Sequence, residues 1–394
     1  MDQPISERKD RYLKMPANII LTKEGMDIIS QSQLKIVKMK NSTGGLKEGI
    51  EAKNINAQTL QKMVMNSYVE EIFVQLPELL TVRHEIISTN NLVIYAILYK
   101  KLTPSISDML FHSQVVKDFN RKNPKNAVVS LQQINKKTMD DLMQKQKDTF
   151  DALKKEIYDE VIKRIQSNSA LSAEDKQLQS RSLDKFIAWI DPRIWYLYYV
   201  ICLTGVKNEM LRDLAGMIAV YLKRTQIATH LSNLLMELTQ NAEKAHFERI
   251  VVRNDLAPPG GADAYLRKRE NREAAASAAI DKKEYLALSW NMNPERNAFG
   301  HQYRINISIT NYGLIDDVTR SKISKKMKAD VDGLSIADFY GGGGNDPDKL
   351  GAGLGLLYNS YLEDYCHSEG IVYRCNIIPE PKFEKTTVSI NISL

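Results

Sequence analysis

Cysteine is scarce in this chain of 394 residues, with only Cys202, Cys366 and Cys375 and no Cys-x-x-Cys spacing among them. That argues against both a disulfide framework and a cysteine-based zinc site. Long apolar runs are missing too. The most apolar stretch, residues 195–206, falls well short of the roughly 20 residues a membrane-spanning helix needs. The first residues, "MDQPISERKDRYLKMP", are charged and hold no apolar core of a signal peptide, so a cytoplasmic protein is expected. Charge of one sign is nowhere concentrated. The net charge is +6 with basic residues spread along the chain, so nucleic acid is not the expected partner.

What is present is an ordinary soluble composition, 43% hydrophobic and 26% charged, on a chain long enough for two or three domains with real cores. Residues 1–60 mix short apolar runs with turn signals and predict a small strand-containing or irregular cap. A mostly helical pattern covers about 58–120, with Pro77 kinking or ending a helix. Residues 134–166 predict a long exposed helix or a helical hairpin. The polar stretch 166–182 contains Ser172 and Asp175 in the spacing of a helix-starting box, and a boundary is placed there. The aromatic stretch "WIDPRIWYLYYV" is expected to pack the junction between the halves.

Two helices are predicted near 207–224 and 227–247, followed by a strand candidate, "RIVVR" (249–253). A Pro-Gly loop then leads into an Ala-rich, charged segment that favours a solvated helix. Strands return with "YLALSWNM" and "YRINISIT". A Gly-rich tract, a helix near 353–367 and two more strands, "IVYRCNII" and "TTVSINIS", complete the chain. The expected fold class is α+β: a C-terminal two-layer α/β sandwich with a mainly antiparallel sheet (183–394), preceded by a largely α-helical N-terminal region (1–182).

Two stretches carry chemistry. In "MELTQNAEKAH", Glu237, Asn241 and Lys244 fall at i, i+4 and i+7 on one helix face. In "GGGGNDPDKLGAGLGLLYNSYLEDY", Gly351, Gly353 and Gly355 immediately precede a helix. Glycines there let backbone N–H groups surround an anion at the positive end of the helix dipole. No Gly-Lys-Ser/Thr follows, so this is no P-loop, and the spacing is not that of a dinucleotide fingerprint. A nucleoside triphosphate with Mg²⁺ answers both stretches. Asn241 would be the metal ligand, Lys244 the phosphate cation, and Glu237 would hold the metal's water or act as a base.

These residues resemble the GHKL (Bergerat-fold) ATPases, closest to the ATP-binding domain of sensor histidine kinases. "ELTQNAEKA" is similar to their N-box and "GAGLGLLYNSYLEDYCHSEG" to their G2 box. The resemblance covers roughly 205–394. It implies ATP and Mg²⁺ as cofactors, with Asn241, Lys244, Asn311, Gly313, Lys349, Gly351, Gly353, Leu354, Gly355 and Leu356 binding them and Glu237 catalytic. The adenine-reading box departs from the pattern: in "ITNYGLIDD", Asn311 stands for the usual aspartate and Ile315 for the second glycine. A neutral amide accepts more weakly than a carboxylate and can also donate, which leaves a guanine reading open. Ala245 replaces the usual aromatic, and residues near 257–285 read as an insertion.

The expected activity is ATP hydrolysis or γ-phosphate transfer to a protein in signalling, with a protein partner reached through the N-terminal helical region. Two alternatives stand beside it: a non-catalytic nucleotide switch or scaffold, and a homodimer closing over nucleotide. A phosphoacceptor histidine is sought at His84, in "RHEIISTNN", where the family's proline is missing. His230 reads as structural, and His246 has no supporting context.

Overall fold

The computed structural model describes residues 12–31, 34–53, 55–79, 82–169, 171–203, 207–257, 261–297, 300–315, 321 and 354–394. The chain is mixed α+β and divides into two compact units, Met1–Ile94 with Ile227–Leu394, and Tyr95–Gln226. The first unit begins with β1 (Tyr12–Leu13), β2 (Ala17–Leu21), α1 (Lys23–Ile29), β3 (Val37–Lys40), β4 (Leu46–Ala52), β5 (Ile55–Asn56), α2 (Ala57–Met65) and β6 (Val69–Leu76). Helix α3 (Arg83–His112) carries the chain into the second unit, which holds α4 (Gln114–Lys122), α5 (Lys136–Lys145), α6 (Lys147–Ser167), α7 (Ala173–Trp189), α8 (Pro192–Cys202) and α9 (Lys207–Arg224). The chain then returns to the first unit through α10 (Gln226–Arg253), α11 (Ala262–Leu266), α12 (Arg269–Asp281), β7 (Leu286–Asn297), β8 (Gly300–Tyr312), α13 (Leu354–Ser368), β9 (Val372–Glu380) and β10 (Lys385–Ser393).

One eight-stranded sheet organises the first unit, in the order β3-β4-β2-β6-β7-β8-β10-β9, with every neighbouring pair antiparallel. β1 and β5 form a separate two-stranded ladder. Along β8 and β10 the period of two is clean. Ile305, Ile307, Ile309, Val388, Ile390 and Ile392 are buried, while the residues between them are polar and bond across the ladder. Ser289 meets Ser308 at 2.7 Å, Asn306 donates to Ser389 and Asn391 at 2.8 Å each, and Thr310 meets Thr387 at 2.9 Å.

Strands from the first 76 residues therefore belong to the same sheet as those of the C-terminal half, rather than to a separate cap. The helical pattern expected over 58–120 breaks as well: α2 ends at Met65, Ser67 turns the chain at φ 59°, and "VEEIFVQL" is the strand β6. β6 lies between β2 and β7, and Val69, Ile72, Phe73, Val74 and Leu76 are all buried. A strand buried on both faces loses its alternation and imitates a helical run.

"RIVVR" is likewise no strand, because α10 continues through Arg253. Ile250 and Val251 sit with Phe247 in a buried cluster with Ala275, Ala276 and Ala279 of α12. Helix–helix packing outweighs the β preference of those branched residues. For the same reason α12 is not a merely solvated helix.

In the second unit, Phe150, Leu153, Ile157, Val161 and Ile165 form the buried stripe of α6, at the three-to-four spacing of an amphipathic helix. Ser172 caps α7, its Oγ accepting from the Asp175 N–H at 3.1 Å. The polar stretch 166–182 thus runs from the end of α6 into α7, inside this unit. Pro192 at the start of α8 follows the Asp191 cap, and Trp195 and Tyr198 are buried. Tyr199 packs on Phe150 with ring centroids 4.8 Å apart.

Candidate functional site

Helix α10 is the longest buried helix of the first unit, and its sequence explains how it presents a polar stripe. Leu231, Leu234, Leu235, Leu238 and Ala242 are buried, whereas Glu237 is half-buried and Asn241 and Lys244 are exposed. The three residues share the open side, as their spacing requires. Partial burial pushes the Glu237 carboxyl above its usual range, which suits a base more than a permanently charged surface group. Lys244 is engaged by acids: its Nζ lies 3.0 Å from Asp263 at the start of α11 and 3.8 Å from Glu248. Its hydrogen bond to Asp263 raises its pKa, and the same bond lowers that of Asp263.

The turn after β8 comes to the same helix. Gly313 has φ +126°, a backbone conformation that suits glycine, and a Cβ there would lie 3.6 Å from Arg249 Cδ and from Asn311 Nδ2 and 3.7 Å from Ala245 O. Asn311 is 5% exposed, and its Nδ2 donates to the Tyr312 carbonyl at 3.2 Å. The Arg249 guanidinium and the Lys385 ammonium both approach the Tyr312 ring, at 5.5 and 4.7 Å from its centroid. Arg249 also pairs at 2.7 Å with Glu284 and with Glu384, locking the end of α10 to the entry of β7 and the β9–β10 connection.

Two residues of this region escape the sequence reading. Thr386 of β10, the register partner of Asn311, donates to the Gly313 carbonyl at 2.7 Å and accepts from the Ile315 N–H at 3.2 Å. Its signal is a hydroxyl on the same strand face as Val388, Ile390 and Ile392. Glu243 is buried, its Oε1 accepting from the Leu79 N–H at 2.7 Å and its Oε2 lying 3.3 Å from Arg272. Burial raises its pKa, against the pull of that N–H and of Arg272. It falls in the stripe of Thr239, His246, Phe247 and Ile250, all buried, and a carboxylate in that pattern is the signal.

His246 also belongs to the core, with no exposed surface and no hydrogen bond closed by either ring nitrogen. Burial lowers its pKa, while the nearby charge of Glu284 and the carbonyls of Tyr312 and Glu284 favour its charged form. His230 packs edge-on against Tyr361 of α13 at 4.9 Å. His84 lies in the first turn of α3.

Lys349, Gly351 and Gly353 lie outside the described residues. Leu354, Gly355 and Leu356 form the first turn of α13, so a helix does begin where the glycine spacing places one. Among the described residues no helix is long and apolar enough to cross a membrane, and no group of three or more His, Cys, Asp or Glu is gathered to hold a metal ion. A Mg²⁺ carried by phosphates needs no such group, since one or two protein ligands suffice. The exposed Asn241 amide fits that smaller role.

No solved structure matches the chain. An uncharacterized protein of Treponema pallidum (strain Nichols) is 25% identical to it, over 98% of this chain and 99% of the relative. A family model described as "Family of unknown function (DUF8084)" matches residues 8–394, nearly the whole chain, and the protein belongs to that family.

Proposed function

We propose that the first unit binds a nucleoside triphosphate with Mg²⁺, in the manner of the GHKL ATPases that its motifs resemble. One observation carries this reading. The glycine turn after β8 packs on α10 at Ala245 and Arg249, just beyond the Glu237–Asn241–Lys244 stripe. Two motif stretches far apart in sequence thus meet on one helix, which supports reading them as parts of one site. The alternation along β8 and β10, apolar on one face and polar on the other, supports the finer reading of a two-layer α/β sandwich.

In this reading a bound Mg²⁺ would supply charge compensation for the phosphates, and the protein's residues would position them. Asn241 would hold the ion and Asn311 with the Gly313 turn would take the base, while the motif resemblance assigns the phosphates to Lys349, Gly351, Gly353, Leu354, Gly355 and Leu356. Lys244 exchanges Asp263 for a phosphate oxygen. Glu237, already raised in pKa, takes a proton from the attacking water or acceptor. The reaction is ATP hydrolysis or γ-phosphate transfer to a protein in signalling.

Two variants test this. Asn241→Ala is expected to weaken binding of Mg²⁺-ATP more than of metal-free nucleotide. Glu237→Gln is expected to bind normally and lose ~10²–10⁴-fold in turnover, the usual worth of a positioned base. Parallel calorimetry and phosphate-release assays read both. Equal turnover of Glu237→Gln and the parent removes Glu237 from catalysis, and absence of nucleotide binding by the parent overturns the whole reading.

A second reading, a non-catalytic nucleotide switch, is favoured by a specific feature. The base-reading position holds a neutral Asn311 already donating to Tyr312, and Lys244 is already ion-paired. Binding of Mg²⁺-ATP without turnover, with γ-labelled phosphate on neither protein nor solvent, selects it.

A further inference from the structure

Glu71, in the middle of β6, has no exposed surface. Its Oε1 accepts the Ser42 N–H at 3.2 Å, while its Oε2 is buried without a partner. Directly across the β6–β7 ladder stands Asn291, whose Oδ1 is also buried without a partner. Register partners share one sheet face, with Cβ atoms about 4.5–5.5 Å apart. Two buried acceptor oxygens without partners therefore belong to facing register partners, an arrangement that burial penalises.

The cover over Glu71 is the connection between β3 and β4. Asn41 folds it into a closed turn, its Oδ1 accepting from Gly45 N–H at 2.8 Å and Thr43 Oγ1 at 2.9 Å. Gly44 N–H donates back to the Asn41 carbonyl at 3.0 Å. The turn reaches β6 through Ser42.

We propose that Glu71 is a neutral acid in the folded protein, its Oε2 proton donated to Asn291 Oδ1, so that docking of the Asn41–Gly45 turn is linked to that proton. A carboxylic acid suits these groups: Oε1 accepts the Ser42 N–H, and a proton on Oε2 supplies the donor that Asn291 Oδ1 lacks. The surrounding charges do not force ionisation. Ile20 faces Glu71 from β2 and the neutral Asn291 faces it from β7. Lys47 of β4 favours the charged form, but it pairs at 3.2 Å with Glu70, which opposes it. Burial is the largest influence and raises the Glu71 pKa, outweighing the hydrogen bonds from Ser42.

The sign of the linkage follows. A carboxyl whose folded pKa lies above its unfolded value stabilises the fold fully below the unfolded value of about 4.5, and loses that contribution as pH rises through the folded one. Glutamine approximates the neutral acid, with an acceptor oxygen and an amide nitrogen that donates, and it carries one N–H more. In urea unfolding, Glu71→Gln and the parent are therefore expected to be alike near the ordinary glutamate pKa. Above it the variant becomes relatively more stable, the ratio of unfolding constants growing by up to tenfold per pH unit until Glu71 ionises in the fold. An infrared difference spectrum, parent minus variant, is expected to show a protonated-carboxyl band at neutral pH.

The rival arrangement is an ionised carboxylate served by Ser42 and by a rotated Asn291 amide or a buried water. Glutamine fits that site poorly, with one acceptor too few. A Glu71→Gln protein less stable than the parent at neutral pH overturns the proposal. So does a parent spectrum without the protonated band.

Discussion

Thr386 illustrates how one side chain sets the shape of the candidate base-reading turn. Its hydroxyl both donates to the Gly313 carbonyl and accepts from the Ile315 N–H, while Gly313 N–H is taken by the Glu384 carbonyl at 2.8 Å. Thr386→Val keeps the branched shape but leaves those two backbone groups without their partner. A loss of about 1–3 kcal/mol is expected, the cost of stranding a buried polar group. Urea unfolding measures that loss. Nucleotide titration measures the companion effect, since a turn no longer clamped to β10 should bind the base more weakly under the proposed function. A variant as stable as the parent would show that the turn holds without the clamp. At this scale the sequence is partly legible. Glu237, Asn241 and Lys244 come to one open helix face because three-residue and four-residue spacings dictate it. Glu243 is less obvious, because a glutamate beside a lysine reads as solvated surface until its place among Thr239, Phe247 and Ile250 is noticed. The ion pair of Lys244 with Asp263 depends on where α11 folds, which no local pattern specifies.

At the scale of elements, the strands of the C-terminal half are readable because their alternation is clean and turns separate them. "YRINISIT" and "TTVSINIS" pair in register from Arg304↔Ser393 to Tyr312↔Lys385. β6 is misread because both its faces are buried, so its alternation blurs, and the end of α10 because packing of Ile250 and Val251 against α12 overrides their β preference. The Ala-rich segment makes this testable. Small residues of α12 pack into one buried cluster with α10, and Ala275 in that cluster has no exposed surface. Ala275→Leu adds three heavy atoms where there is no room and is expected to cost about 1–3 kcal/mol, the usual range for overpacking. On a solvated helix the same change would be neutral, as alanine and leucine have similar helix propensity. Chemical denaturation separates the outcomes, and unchanged stability would remove α12 from the core.

For the whole molecule, the decisive fact is that the first unit is discontinuous in sequence. A boundary at residue 182 severs β6 from β7, which pair over Glu71–Leu76 and Leu286–Asn291 at the middle of the sheet. The fragment 183–394 would expose the buried edge of β7 and would strip Glu243 of the Leu79 N–H. It is expected to be insoluble or to unfold without a cooperative transition, despite containing every residue of the proposed nucleotide site. The opposite cut should succeed. Near the crossing points α3 and α10 are held together inside the first unit, with Asn90 Nδ2 2.8 Å from Ser232 Oγ and 3.4 Å from the Ala228 carbonyl. Ser232 Oγ also donates to Asn91 Oδ1 at 2.9 Å. The ends at Ile94 and Ile227 are therefore within reach of a short Gly-Ser linker. Residues 1–94 so joined to 227–394 are expected to unfold cooperatively in urea and to show the dispersed amide spectrum of a folded sheet. If 183–394 instead folds alone with a cooperative transition, the N-terminal strands are dispensable additions and the sheet is complete without them. If both fail, residues 95–226 supply stability that the first unit lacks by itself. Only the joined chain folding while 183–394 fails makes the sheet, rather than the motif-bearing half, the unit that must be kept whole for any nucleotide assay.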